Sequence, residues 1–312
     1  MQLPYYRIES ATNTTCLRVF LHYHGIIVDM NVMDLQTNET KCSALEGVRL
    51  FVLDMDGTFY LGSKLLPRSL EFIKRVSEKG FKYMFFTNNS SRTPERYLEK
   101  LENMGLTLDR NDLLTSGDVT IEYLNAHHAA QSVYLLGTEA LKNDFAARGV
   151  NIFEAQESEA GTGYSSEKPD IVVVAFDVEL TFDKLERACT YIRAGSLFIA
   201  THPDINCPME YGFIPDCGAF CAAITLSTGI SPRILGKPYP ETIEMIEKIT
   251  GFGRSEIAFV GDRLYTDVKA GANNGAKGFL VLSGETIIDD LEYSDVEPNA
   301  IFEDLGDIAD CL

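Results

Sequence analysis

No apolar run in the 312 residues approaches the ~20 that a membrane-spanning helix needs. The opening stretch, Met1-Gln-Leu-Pro-Tyr-Tyr-Arg, lacks the apolar segment of a secretory signal, so the expected compartment is the cytosol. Positive charge is scarce. Only 27 Lys and Arg stand against 46 Asp and Glu, a net charge of −19. Nucleic-acid phosphates and anionic membrane surfaces repel such a chain, so neither is an expected partner, and the acidity reads as a solubilised surface. The cysteines follow no standard zinc spacing. Seven scattered residues (Cys16, Cys42, Cys189, Cys207, Cys217, Cys221 and Cys311) read as reduced thiols, with Cys217 and Cys221 buried structural residues. There are no internal repeats.

What is present begins at residues 50–58, Leu-Phe-Val-Leu-Asp-Met-Asp-Gly-Thr. Four consecutive apolar residues read as a strand buried on both faces. Asp54 and Asp56, two apart, point the same way. Two carboxylates at the end of an apolar strand need a cation between them, or one must keep its proton. Residues 69–79 have helical spacing and stop at Gly80, and 81–86 form a second buried strand ending in Thr87-Asn88-Asn89-Ser90-Ser91. Another helix starts at Pro94 and stops at Gly105. Strand and helix in alternation predict a doubly wound parallel α/β sheet.

Further strands are expected at 133–137, 171–176, 197–200, 234–235, 257–260 and 278–282, and an edge strand at 301–305, with helices between them. The length favours two domains. Residues 1–46 are an unassigned extension, in which Gly25 turns a hairpin. Residues 47–127 and 225–312 form a discontinuous core, and 128–224 an inserted α/β unit, with 154–169 a loop.

Four strand ends then carry polar sets: Asp54/Asp56, Thr87/Asn88, Lys237 and Asp262/Asp267. In open α/β sheets ligands bind outside the C-terminal ends of strands. If the strands are neighbours, Asp54, Asp56 and Asp262 form an oxygen-rich cluster suited to Mg²⁺, while Lys237 and the Thr87 hydroxyl offer donors to an anion. Acids for a metal beside donors for an anion suit phosphoryl transfer. Singly, Lys237 reads as a solvated lysine and Thr87 as a helix cap. Together the four sets are specific.

Asp54-Met-Asp-Gly-Thr, Thr87-Asn-Asn, Gly236-Lys-Pro and Gly261-Asp…Asp267 resemble the four motifs of the haloacid dehalogenase (HAD) superfamily, and in detail its NagD-like, 4-nitrophenylphosphatase-like branch. The resemblance implies a HAD Rossmann-like core with an inserted α/β cap. It implies Asp54 as nucleophile through an aspartyl-phosphate and Asp56 as acid and base. Mg²⁺ would sit on Asp54, the Asp56 carbonyl and Asp262, with Asp267 orienting that shell. Thr87, Asn88 and Lys237 would bind phosphate. Asn89, His202 and Asp204 would touch the leaving group, and two caps would pair in a homodimer. The implied activity is Mg²⁺-dependent hydrolysis of a small phosphorylated metabolite: a sugar phosphate, a nucleotide, phosphoglycolate or pyridoxal phosphate. A non-catalytic binder or a phosphoryl transferase is the alternative.

Two positions depart from the family pattern. His202 stands where Asn is common, and Asp216 where Gly is usual.

Overall fold

The structure is a computed structural model that describes residues 6–8, 18–23, 26–31, 38–154, 167–209 and 212–312. Most of the expected loop at 154–169 lies outside the described residues, as do Gly25, Glu210 and Tyr211.

Six parallel strands form the main sheet, in the order Ala300–Phe302, Lys277–Val281, Ile257–Gly261, Leu50–Leu53, Lys82–Thr87 and Leu113–Thr115. Leu50–Leu53 is central and wholly buried, as four consecutive apolar residues require. Its two neighbours come from opposite halves of the chain. That reversal of strand order opens a crevice beyond the strand ends. Ser69–Glu78 turns Phe72, Ile73 and Val76 inward, and Pro94–Asn103 turns Tyr97 and Leu101 inward. Both are helices with one apolar stripe against the sheet.

A second sheet of four parallel strands runs Arg233–Ile234, Leu197–Ala200, Ile171–Val174 and Val133–Leu136. An apolar cluster continues from Val52, Phe86 and Leu114 through Val119 and Leu124 to Val133, Val173 and Ile199, so the two sheets share buried contacts. Two antiparallel strands, Asn206–Met209 and Gly212–Pro215, form a hairpin. Near the N-terminus, Tyr6–Ile8, Arg18–Tyr23 and Ile26–Asn31 form a separate antiparallel sheet, with the last two strands paired as the expected hairpin.

Several expectations change. The division expected at 224/225 falls inside the helix Cys217–Thr228, and Arg233–Ile234 pairs with Leu197–Ala200 in the second sheet. A helix lying on a parallel sheet returns the chain to that same sheet, and this one does so. The edge strand expected at 301–305 is Ala300–Phe302, and Leu305–Asp310 is a helix capped by the Asp304 side chain. The cysteines are not all reduced thiols, because Cys42 and Cys311 are disulfide-bonded with Cα atoms 4.9 Å apart. Their 269-residue separation hides the pair from a spacing argument. Among the described residues, no helix is long and apolar enough to cross a membrane.

Candidate active site

Three of the four polar sets lie at the ends of adjacent strands: Asp54 after Leu50–Leu53, Thr87 closing Lys82–Thr87, and Asp262 after Ile257–Gly261. The fourth arrives differently from the sequence expectation. Lys237 enters from the second sheet, just beyond Arg233–Ile234.

Lys237 is only 2% exposed, so its ammonium needs partners. Its Nζ donates to Asp54 Oδ1 at 2.7 Å, Asp267 Oδ1 at 2.6 Å and the Phe86 carbonyl at 3.1 Å. Those bonds occupy its three donors. Burial works against its charge, but Asp267 and Asp54 outweigh burial and hold its pKa above the ordinary lysine value.

Carboxylate oxygens of Asp54, Asp262 and Asp267 lie within 4.8 Å of one another. Burial pushes Asp54 well above the usual carboxylate range; Lys237 opposes this, and Asp267 and Asp262 add to it. Burial, followed by Asp267, pushes Asp262 up to about 7. Asp262 Oδ2 accepts from the Glu285 amide at 2.7 Å, while its buried Oδ1 has no hydrogen-bond partner among the described residues. Two glycines make room for this carboxylate. A Cβ on Gly57 would fall 2.3 Å from Asp262 Oδ2, and one on Gly284 would fall 2.0 Å from it. An all-oxygen cluster with a buried, unpartnered lone pair fits a hard divalent cation. Asp267 is differently committed, because Oδ1 holds Lys237 and Oδ2 accepts from the Arg263 amide at 3.2 Å.

Asp56 lies beside Tyr60. Burial raises its carboxyl pKa, and the nearby Lys100 ammonium opposes that rise. Thr87 Oγ1 accepts from the Asn89 amide at 3.1 Å, which leaves its hydroxyl proton free to donate. The Asn88 side chain grips the backbone of Lys237: Oδ1 accepts from its amide at 2.9 Å, and Nδ2 donates to its carbonyl at 3.0 Å. Asn88 Nδ2 also donates to Asp204 Oδ1 at 2.9 Å.

Arg263 was not singled out in the sequence, although it directly follows Asp262. It donates to Asp204 Oδ2 at 2.8 Å and pairs with Glu285 at 2.9 Å. Asp204, just ahead of the hairpin, is therefore tied to two residues beside the main sheet. Asn89 and Asp204 line the cleft with Asp54, Asp56, Thr87 and Arg263. His202 does not line it. It is fully buried behind, with Nε2 2.9 Å from Asp216 Oδ1. The cleft holds about 30 Å³, against roughly 300–1,000 Å³ for ordinary small-molecule sites.

A core whose acidic strand ends converge on a buried lysine, with a second α/β sheet above them, defines a class. The family described as haloacid dehalogenase-like hydrolase matches residues 51–151, and the one described as HAD-hydrolase-like matches 234–308. An acid sugar phosphatase from Staphylococcus aureus is 33% identical over 259 residues, which is 83% of this chain and 96% of that protein. A 4-nitrophenylphosphatase from Thermotoga maritima superposes with a TM-score of 0.77 at 44% identity, covering 86% of this chain and 98% of that one. A glycerol phosphate phosphatase from Mycobacterium tuberculosis, solved in complex with magnesium, has a TM-score of 0.75 at 28% identity, covering 85% and 77%. The chain belongs to the haloacid dehalogenase-like hydrolases, in the NagD-like, 4-nitrophenylphosphatase-like branch. It is a HAD-type phosphatase, a phosphoric monoester hydrolase.

Proposed function

We propose that this phosphatase is Mg²⁺-dependent and hydrolyses a small phosphorylated metabolite through an aspartyl-phosphate on Asp54. The observation that carries this reading is the Asp54–Lys237 pair at 2.7 Å inside a three-carboxylate cluster. Lys237 pins Asp54 Oδ1 and screens the repulsion between a carboxylate and a phosphate dianion. That leaves Oδ2 to attack phosphorus. As the Oδ2–P bond forms, the bond from phosphorus to the leaving oxygen breaks, and Asp56 gives that oxygen a proton. Asp56, its carboxyl pKa raised by burial, suits a proton carrier. It then takes a proton from the water that cleaves the Asp54–phosphate bond. Thr87 and the Asn88 backbone hold the phosphoryl oxygens, and Lys237 attracts them by its charge, exchanging one of its present bonds for a phosphoryl oxygen when substrate binds.

Asp54, the Asp56 main-chain carbonyl and Asp262 would hold Mg²⁺, which when bound supplies positive charge against the phosphoryl oxygens. Asp267, bonded to Lys237 and to the Arg263 amide, positions the cluster rather than binding the ion directly.

The small volume of the cleft supports a cap that closes over the substrate, with Asp204 as the latch to Arg263 and Asn88. Such closure favours a small metabolite over a macromolecule. The relatives' names, acid sugar phosphatase and glycerol phosphate phosphatase, support a small phosphorylated metabolite. The cap of this reading is the unit read as 128–224, extended to include Arg233–Ile234. Exposed Ile205, Met209 and Phe213 support its use in a homodimer, and the compartment of this reading is the cytosol.

Phosphate release from a panel of small esters, with and without Mg²⁺, tests the proposal in wild type and Asp54→Asn. Release that needs both the ion and Asp54 is expected. Turnover unchanged by either omission would contradict it.

A further inference from the structure

Beside the cleft lies a groove of about 560 Å³, lined by Ser91, Arg92, Arg96, Glu99 and Lys100 among others. Its size falls within the usual range for a small-molecule site. Arg92, Arg96 and Lys100 recur every four residues, which puts three cations on one face around the helix Pro94–Asn103. In a chain of net charge −19 this concentration of positive charge is unusual. Arg96 pairs with Glu99 at 2.9 Å. Arg92 and Lys100 have no ion-pair partner among the described residues. Burial lowers the ammonium pKa of Lys100, and the Asp56 carboxylate offsets that only in part, so this cation has lost part of its hydration without a carboxylate in ion-pair contact. Its Nζ lies 3.5 Å from the ring centroid of Tyr60, which stands beside Asp56.

The groove and the cleft share a wall. Ser91 lines the groove and Asn89 the cleft, and Asn89 Oδ1 accepts from the Ser91 amide at 3.0 Å and its hydroxyl at 2.7 Å. Lys100 and Arg92 both act electrostatically on Asp56. If Asp56 protonates the leaving oxygen, the leaving group stands at a carboxyl that already feels these two cations. On the cleft side, Arg263 pairs with Asp204 and Asn88 donates to it, which weakens its repulsion of an incoming anion.

We propose that this groove binds a second anionic group on the leaving group, so that the preferred substrates are phosphomonoesters that also carry a carboxylate or a second phosphate. The proposal rests on the assignment of Asp54 and Asp56 to the reacting centre. It deepens that reading by naming the substrate class.

The test uses matched esters: 3-phosphoglycerate against glycerol 3-phosphate, and a hexose 1,6-bisphosphate against the hexose 6-phosphate. Calorimetry on Asp54→Asn protein gives each Kd without turnover. The member with the second anionic group binds about tenfold tighter than its partner in at least one pair, and the pair that does so tells carboxylate from phosphate. Adding Arg92→Gln and Lys100→Met brings the ratio within that pair close to one. Equal affinities within both pairs, or an advantage that survives the two substitutions, overturn the proposal. Turnover of the same four esters by the wild-type enzyme tests the phosphatase reading separately. A binding advantage without any turnover would defeat that reading and leave the groove standing.

Discussion

His202 Nε2 lies 2.9 Å from Asp216 Oδ1, and the two residues that depart from the family pattern are each other's partner. His202 is fully buried. Its Nδ1 faces Thr201 Oγ1 at 2.9 Å and Ser116 Oγ at 3.3 Å, and the Ser116 hydroxyl already donates to the Asn88 carbonyl at 2.5 Å. Both ring nitrogens thus face acceptors, which fits an imidazolium. Asp216 Oδ1 also accepts from the Cys217 amide at 2.6 Å, where it caps the helix Cys217–Thr228. The pair fastens the end of the second sheet to that helix and, through Ser116, to the Asn88 backbone at the site.

Removing one partner leaves the other buried without its counter-charge. We expect His202→Asn to lower unfolding stability by about 3–5 kcal/mol. His202→Asn with Asp216→Gly should be destabilised by less than the sum of the two single changes, because neither charge is then left alone. Denaturant unfolding of the four proteins measures the coupling, and strict additivity would remove the pair as a structural unit.

The same pair predicts a pH dependence. Burial works against the charge on His202, but Asp216, with smaller help from Cys217 and Asp204, raises its pKa from 6.5 to about 9. A group whose pKa is raised on folding contributes its full stability below the unfolded value, and that contribution is lost as pH rises through the folded value. Wild type should therefore lose stability between about pH 6.5 and 9, and His202→Asn should not show that decline. Parallel stability curves for the two proteins across this window would contradict the assignment.

Lys237→Met should reduce kcat by about 10²–10³, the usual loss when one preorganised donor at a reacting centre is removed. Arg should not rescue it, because a planar fork does not fit a pocket in which one nitrogen meets Asp54, Asp267 and Phe86. Rate measurements on protein shown to be folded by circular dichroism test this; near-wild-type turnover in Lys237→Met would contradict it.

Asp267→Asn should raise the Mg²⁺ concentration for half-maximal activity by about 10–100-fold, the usual effect of disturbing a group that orients a metal's ligands. Asp262→Asn, which removes a proposed direct ligand, should do more. A Mg²⁺ titration of each variant gives the order, and an unchanged midpoint in Asp262→Asn would displace that residue from the metal site.

Much of the fold and cleft was legible because it is local. The unbroken Leu50–Leu53 run, the spacing of Phe72, Ile73 and Val76, and Pro94 at a first turn each reflect geometry within a few residues. Asp54, Thr87 and Asp262 could be brought together because strand ends share one edge of a sheet. What stayed hidden is held by contacts across the chain. Asp204 meets Arg263 over 59 residues, Cys42 meets Cys311 over 269, and Arg233–Ile234 joins a sheet that its two residues do not name. No periodicity encodes such pairs. Arg263 could have been found from its place in Gly-Asp-Arg, and the groove from the four-residue spacing of Arg92, Arg96 and Lys100.

The central claim is that Asp54 carries the phosphoryl group. In Asp56→Asn the group proposed to activate the hydrolytic water is gone, whereas 4-nitrophenolate leaves without needing a proton. Rapid mixing of this variant with 4-nitrophenyl phosphate and Mg²⁺, followed by acid quench, borohydride reduction and peptide mass spectrometry, tests the claim most directly. The account predicts a burst approaching one 4-nitrophenolate per enzyme molecule and conversion of Asp54 to homoserine. A burst with the label on another residue, or Asp54→Asn turning over at the wild-type rate, would contradict it.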